Sequence, residues 1–190
     1  MMEMKSMAQL DKLKELAKKR ISQEEAFEFF DSLDTVNLED TYGLWKGEEL
    51  KTGHPMEGLL TASSWYGKKF IDNEHVHPLV FQKKDGFLFA GNPGRVSLDP
   101  ILSKLPKTYV SLFMKLARPF IITKKSRARL RLVDYRGKAS ASMIYDQKPI
   151  IDIFRKIDED TMLGVMDIKN FPSEKSYFFY LKRVQKQEIQ

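Results

Sequence analysis

The chain has 190 residues, of which 42% are hydrophobic and 12% aromatic, so it can build a packed core and is not globally disordered. This length suits one domain, or one domain with an appendage. There is no cysteine, which excludes disulfides, thiolate metal sites and a cysteine nucleophile, and which fits a reducing cytoplasm.

The formal net charge of +6 is concentrated in one segment. Residues 115 to 138 carry nine basic side chains and a single acid, Asp134, so the local charge is +8 and the remaining residues sum to −2. Such a patch attracts anionic partners, namely nucleic acid, an anionic membrane surface or an acidic ligand. The alternative interpretation is a strand face that is simply solvated.

The N-terminal segment predicts two short helices. Charges interrupt it every few residues, so it predicts neither a signal peptide nor a membrane span, and we expect a soluble, cytoplasmic protein. Residues 8 to 20 have apolar side chains at helical spacing. Ser22 and Glu25 then form a capping-box pattern at the start of a second helix. Residues 1 to 35 are therefore predicted to be a helical appendage that docks on the main body.

The middle of the chain predicts a mixture of strands and helices. Residues 41 to 50 predict a strand, residues 56 to 70 a capping helix, and residues 79 to 90 a hairpin around an Asp-Gly turn. A Gly-Asn-Pro-Gly break follows. Within the long insertion at 92 to 122, residues 109 to 116 predict a short helix.

After residue 126 the pattern changes to strands joined by short turns. Five successive stretches have this character: RARLRLVDY, ASASMIYD, PIIDIFRKI, TMLGVMDIK and SYFFYLKRV. With three earlier strands they predict a mainly β fold, α+β by content, built as a closed antiparallel barrel of about eight strands. The barrel domain would span 36 to 185, in two parts at 36 to 97 and 123 to 185, with 186 to 190 as a tail.

The segment Gly43-Leu44-Trp45-Lys46-Gly47 is a complete match to the motif GXWXG. This motif names the N-terminal part of a largely bacterial family, whose C-terminal part is a separately named domain of unknown function. The sequence from Ala128 to Asp167 and the stretch YFFYLKRV resemble that second part. The chain therefore resembles this family over roughly residues 30 to 185. The resemblance implies no activity.

A broader resemblance is to the calycins, which include lipocalins and fatty-acid-binding proteins. They have Gly-X-Trp on the first strand and a basic residue near the end of the last strand. The resemblance implies a calycin-like barrel in which Trp45 closes one end beneath Arg183 or Lys182, a contact worth about 0.5–2 kcal/mol. Gly43 and Gly47 would let neighbouring backbone approach the indole ring. A direct ligand contact by Trp45 is the less favoured alternative.

The strand PIIDIFRKI places a charged side chain on each of its faces, because Asp152 and Arg155 point in opposite directions. Whichever face lies inside, a charge would sit among apolar side chains, and buried charges need a partner. An inward Arg155 could clamp a ligand carboxylate or phosphate. Alternatively, Arg155 pairs with Asp146 or Asp167 and holds the strands in register.

Seven residues are predicted to contact a ligand: Arg155, Asp152, Tyr145, Met143, Met166, Tyr180 and Phe179. Methionine is deformable and suits varied apolar chains, and tyrosine adds aromatic surface with a polar tip, although both also suit plain core filling. We therefore predict a protein that binds a hydrophobic or amphipathic small molecule, lipid-like and with an acidic head group, in the barrel cavity.

Enzymatic activity is the less favoured prediction. Ser140 and Ser142 have no nucleophile elbow, and the chain has no P-loop. The three histidines, His54, His75 and His77, are interpreted as hydrogen-bonding residues, so no metal and no cofactor is predicted. The enzymatic alternative is an isomerase, hydratase or cyclase that acts on a lipid or terpenoid through a Tyr–Asp or Arg–Asp pair.

A second alternative uses the basic segment at 124 to 138. An anionic membrane surface is the favoured macromolecular partner for this segment. Nucleic acid is less favoured, because the strand RARLRL has no interleaved aromatic side chains. The oligomeric state is left open.

Overall fold

The computed structural model describes residues 2–96 and 105–185. Its helices are α1 (Met2–Ala17), α2 (Gln23–Ser32), α3 (Leu59–Ala62) and α4 (Lys107–Ile121). Its strands are β1 (Asp34–Thr35), β2 (Gly43–Leu50), β3 (Trp65–Phe70), β4 (Val76–Gln82), β5 (Leu88–Ala90), β6 (Ala128–Tyr135), β7 (Lys138–Tyr145), β8 (Ile150–Lys156), β9 (Thr161–Ile168) and β10 (Tyr177–Val184). Within these residues no helix is both long and apolar enough to cross a membrane. The predicted tail at 186 to 190 lies outside the described residues.

All ten strands belong to one sheet in which every pairing is antiparallel, and eight of them form a ring. Around the ring the order is β8, β7, β6, β4, β3, β2, β10 and β9, and β9 pairs again with β8. The two short strands β1 and β5 lie outside the ring and pair with β8 and β4. The prediction of a mainly β protein built from antiparallel strands is confirmed.

One joint of the ring is much shorter than the others. Strands β6 and β7 pair along their whole length, whereas β4 and β6 pair only at Val76 and Ala128. Beyond Val76, β4 pairs with β5 instead, and Ile121 of α4 packs against Phe81 and Phe89 of these two strands. Helix α4 therefore borders the region where β4 leaves β6.

Alternation along the strands produces two apolar layers. Side chains inside the ring, such as Phe70, Phe154 and Leu181, form one buried cluster. The outer faces of β8, β9 and β10 form a second cluster with α1 and α2, to which Phe30 and Leu16 contribute fully buried side chains. Each such side chain contributes about 1.5–3 kcal/mol by leaving water, which is why these short helices dock on the sheet.

The predicted helix over 56 to 70 is wrong for most of its length. Only Leu59–Ala62 is helical, and Trp65–Phe70 forms β3. Ser64 has a φ of 63°, in the left-handed region that ends a helix. The apolar spacing of this segment suits either structure, and pairing with β2 and β4 decided it. The short helix predicted at 109 to 116 is the longer α4.

Candidate functional site

At one end of the ring, the guanidinium carbon of Arg183 lies 4.3 Å from the centre of the Trp45 ring. Arg183 also donates to the carbonyls of Tyr42, at 2.6 Å, and Asp40, at 2.8 Å. The indole Nε1 of Trp45 donates to the carbonyl of Thr41 at 2.6 Å. The contact between Arg183 and Trp45 is the one expected from the sequence. Lys182, the alternative partner, belongs to the opposite face of β10.

The motif glycines make room for a different side chain than expected. A Cβ at Gly47 would lie 2.0 Å from the ring of Trp65, so this glycine accommodates Trp65 rather than backbone beside Trp45. The backbone that does approach Trp45 belongs to Gly67, where a Cβ would lie 1.9 Å from the Trp45 carbonyl oxygen. Gly43 has a φ of 123°, which L side chains rarely adopt.

Two of the predicted ligand contacts lie outside the ring. Arg155 is fully buried beneath α2, with its guanidinium carbon 4.8 Å from the centre of the Phe30 ring, and it donates to the Tyr135 carbonyl at 2.8 Å. Among the described residues no carboxylate pairs with it, so neither predicted partner, Asp146 or Asp167, does, and Asp146 binds Arg129 instead. Tyr180 donates to Glu48 at 2.5 Å, also on the outer face. Arg155 therefore cannot clamp a ligand within the ring.

The other five predicted residues do project into the ring: Asp152, Tyr145, Met143, Met166 and Phe179. They meet a residue that the sequence did not suggest, Lys68 of β3. Its Nζ lies 2.8 Å from Oδ2 of Asp152 and donates to the Tyr145 hydroxyl and the Pro78 carbonyl, each at 3.3 Å. We call Lys68, Asp152 and Tyr145 the polar cluster.

The polar cluster is almost completely removed from water. The side chains of Lys68 and Asp152 are 4% and 1% exposed. Burial raises the pKa of Asp152, although the ammonium of Lys68 opposes this change. Burial, with Asp152 nearby, also raises the pKa of Tyr145 well above its usual value. The Lys68 ammonium lies 5.0 Å from the ring centre of Phe179 and 5.6 Å from that of Trp65, so both rings attract it.

One oxygen of this cluster has no partner. Within the described part of the chain, no donor lies within hydrogen-bond distance of Oδ1 of Asp152. The adjoining cavity has a volume of about 40 Å³ and is lined mainly by apolar side chains, together with the polar cluster, Tyr177 and Lys148. A buried acceptor without a donor is unfavourable by about 1–3 kcal/mol. The cavity is large enough for one hydroxyl group or one water.

The cavity adjoins a larger apolar cleft of about 550 Å³ between α3, α4 and β4. Four side chains line both spaces: Met56, Leu60, Leu79 and Val96. The cleft is lined mainly by leucine, methionine and aromatic side chains, including Leu112, Phe113 and Leu116 of α4. The apolar cleft is thus adjacent to the small cavity inside the ring, which the polar cluster lines.

Three arginines of the basic segment predicted as an anion-binding patch are paired with carboxylates. Arg129 pairs with Asp146 at 2.9 Å, and Arg131 pairs with Glu74 at 2.7 Å. Arg136 binds Asp31 at 2.7 Å in the same way. The strand face at β6 therefore presents ion pairs rather than free cations.

The histidines do not converge. His54 stacks on Phe171 with ring centres 5.1 Å apart, while His75 lies 2.9 Å from Asp72. In residues 2–96 and 105–185, no group of three or more His, Asp or Glu side chains is arranged to hold a metal ion.

The fold and the motif together define the class as a GXWXG protein with an eight-stranded antiparallel ring. Residues 28–86 match the family described as GXWXG protein, and residues 126–183 match the domain of unknown function DUF4334. A solved structure, described as a protein from Thermomonospora curvata, is 31% identical with a TM-score of 0.69, over 94% of this chain and 99% of that chain. The chain belongs to the GXWXG family. No curated protein matches it.

Proposed function

We propose that this protein binds an amphipathic alcohol, with its apolar part in the cleft beside α4 and its hydroxyl group on Asp152. The observation that carries the proposal is the open Oδ1 of Asp152, which is buried inside the ring next to the apolar cleft. A ligand O–H would supply the missing donor and would be oriented by it.

A hydroxyl group suits the polar cluster better than a carboxylate. Each N–H of Lys68 has an acceptor available, namely Asp152, Tyr145 and Pro78, so the ammonium has no spare donor for an anion. A ligand carboxylate would also meet the charge of Asp152. The acidic head group expected from the sequence depended on Arg155, which lies on the outer face.

The sizes of the cleft and of the cavity support a site in which the two parts of the ligand bind separately. The cleft of about 550 Å³ falls within the 300–1,000 Å³ usual for ligand sites, whereas about 40 Å³ inside the ring holds only a polar end. The ring of eight strands, with Trp45 beneath Arg183 at one end, supports a calycin-like barrel that is closed there.

The test is a titration of the purified protein with 1-dodecanol, followed by tryptophan fluorescence because Trp65 lines the cavity. Saturable binding is expected. The double variant Lys68→Met/Asp152→Leu removes the polar cluster's ion pair as a unit, and its affinity should be at least about tenfold lower. Lys69→Met/Asp167→Leu makes the same changes outside the cluster and should bind normally. Absence of saturable binding, or equal affinity in all three proteins, would reject the proposal.

Isomerisation of a bound allylic alcohol, in which one carbon loses a proton and another gains one, is a second candidate function. Burial raises the pKa of Asp152, and the Tyr145 hydroxyl lies 3.5 Å from its Oδ2, so a carboxyl group is poised to exchange protons beside the ligand. Incubation with an allylic alcohol such as geraniol in deuterated water tests this candidate. Deuterium at carbon, absent with Asp152→Asn, would support an isomerase. If no deuterium is incorporated at carbon, the isomerase is rejected and the proposed function is binding without catalysis.

A further inference from the structure

Helix α4 exposes a stripe of large apolar side chains. Five of them are each more than half exposed: Tyr109, Leu112, Phe113, Leu116 and Phe120. Their spacing confines them to about 100° of the helix circumference, so they form one continuous face. The buried side of the helix is anchored by Ile121, which packs on β4 and β5, and by Val110, which belongs to the buried cluster inside the ring. The packing of α4 on the rest of the protein therefore leaves the stripe facing solvent.

Basic side chains lie beside α4 and directly after it. A groove of about 290 Å³ beside α4 contains four cationic side chains and one carboxylate: Lys83, Lys84, Lys115, Arg118 and Asp85. Lys124 and Lys125 follow the helix directly and are exposed. The sequence from 100 to 133 contains no acidic residue. Unlike the arginines of β6, these cations therefore have few carboxylates nearby.

We propose that α4 docks this protein on the surface of an anionic lipid bilayer. Large apolar side chains beside cations are the composition of helices that lie in the bilayer interface, where the apolar face enters the acyl region and the cations meet lipid phosphates. Charge complementarity selects a membrane over a second copy of the chain. A symmetric dimer through α4 would bring two basic flanks together.

Docking in this orientation has a structural consequence. Leu112, Phe113 and Leu116 belong both to the exposed stripe and to the lining of the apolar cleft. A bilayer in contact with the stripe therefore lies at the edge of the cleft. The proposal does not depend on which molecule the cleft binds, because the stripe and its cations carry it alone.

Co-sedimentation with vesicles tests the proposal. The full chain is mixed with vesicles of phosphatidylcholine alone, or of phosphatidylcholine and phosphatidylglycerol in equal parts, at low and at high salt. Binding is expected to the anionic vesicles, weaker in high salt and weaker still to phosphatidylcholine alone. The variant Phe113→Ser/Leu116→Ser should lose at least about tenfold in affinity. Lys115→Glu should weaken binding to the anionic vesicles only.

The matched control is Ile71→Ser/Leu132→Ser, which removes two exposed apolar side chains from the β3–β4 turn and from β6 and should bind like the wild type. Circular dichroism establishes that each variant is folded. Failure of the wild type to sediment with anionic vesicles, or equal binding by the α4 variant, would overturn the proposal. So would a wild-type dimer in analytical ultracentrifugation that the α4 variant dissociates without any vesicle binding.

Discussion

Lys68 and Asp152 form an ion pair across the inside of the ring, although their strands are four places apart in either direction around it. The pair therefore joins opposite walls, β3 and β8, through a distance of 2.8 Å between nitrogen and oxygen. Tyr145, from β7, adds a third wall. These three side chains therefore connect β3, β7 and β8 across the inside of the ring at the level of the candidate site.

Breaking this pair from one side should strongly destabilise the fold. Lys68→Met leaves a buried carboxylate alone, and Asp152→Leu leaves a buried ammonium alone, so each should lower the free energy of unfolding by about 3–5 kcal/mol. The double variant should recover most of this loss, because an apolar pair needs no solvation. Urea denaturation of the four proteins measures the coupling. Additive losses in the double variant would mean that the pair does not act as a unit.

Removing the cover of Trp45 should also destabilise the ring. Arg183→Ala loses the contact with the indole, three hydrogen bonds to carbonyls and the ion pair with Asp160, and should lower the free energy of unfolding by about 2–4 kcal/mol. Lys182→Ala, one position away on the outer face, is the control and should change it by less than about 1 kcal/mol. Equal losses in chemical denaturation would show that Arg183 has no special role at this end.

Gly47 should be intolerant of a side chain only while Trp65 is present. Gly47→Ala places a Cβ where the Trp65 ring now lies and should lower the free energy of unfolding by about 1–3 kcal/mol. In a Trp65→Ala background the same substitution should change it by less than about 1 kcal/mol, because the ring is gone. Denaturant unfolding of the four proteins in this cycle measures the difference. A loss that is the same in both backgrounds would point to the backbone instead.

The protein should lose stability in mild acid through His54. Burial lowers the pKa of His54 from 6.5 to about 4, with a smaller contribution from Lys175 and an opposing one from Glu57. Between these values the unfolded chain binds a proton that the folded chain does not, so this stability is present above pH 6.5 and is lost as the pH falls to about 4. The loss should reach up to about 3 kcal/mol.

The variant His54→Asn keeps an acceptor near the Met56 N–H and should show a shallower dependence of unfolding free energy on pH. Some slope should persist, because burial also lowers the pKa of His77. An unchanged slope in His54→Asn would contradict the assignment.

The sequence predicts much of the ring, because the turns and alternation after residue 126 are local signals. The five strands predicted there correspond to β6 through β10. The contact between Trp45 and Arg183 was also predictable, since it is carried by a short motif on the first long strand and a basic residue on the last.

Of the polar cluster, Asp152 and Tyr145 were predictable from the sequence, whereas Lys68 was not. The apolar spacing around Lys68 fits a helix as well as a strand, so nothing local places this lysine inside the ring. The sequence also does not predict which face of β8 points into the ring. Helices α1 and α2 bury its outer face, and the ring buries its inner face. With both faces apolar, alternation cannot decide between Asp152 and Arg155, and the choice depends on contacts distant in sequence.

The most direct test of the account compares two ligands that differ by one hydrogen-bond donor. Calorimetric titration gives the affinities for 1-dodecanol and for its methyl ether, which keeps the chain and the oxygen but lacks the O–H. If Oδ1 of Asp152 accepts from the ligand, the alcohol should bind at least about tenfold more tightly, and this ratio should fall to about one in Lys68→Met/Asp152→Leu. Equal affinities for the alcohol and the ether in the wild-type protein would contradict the proposed site.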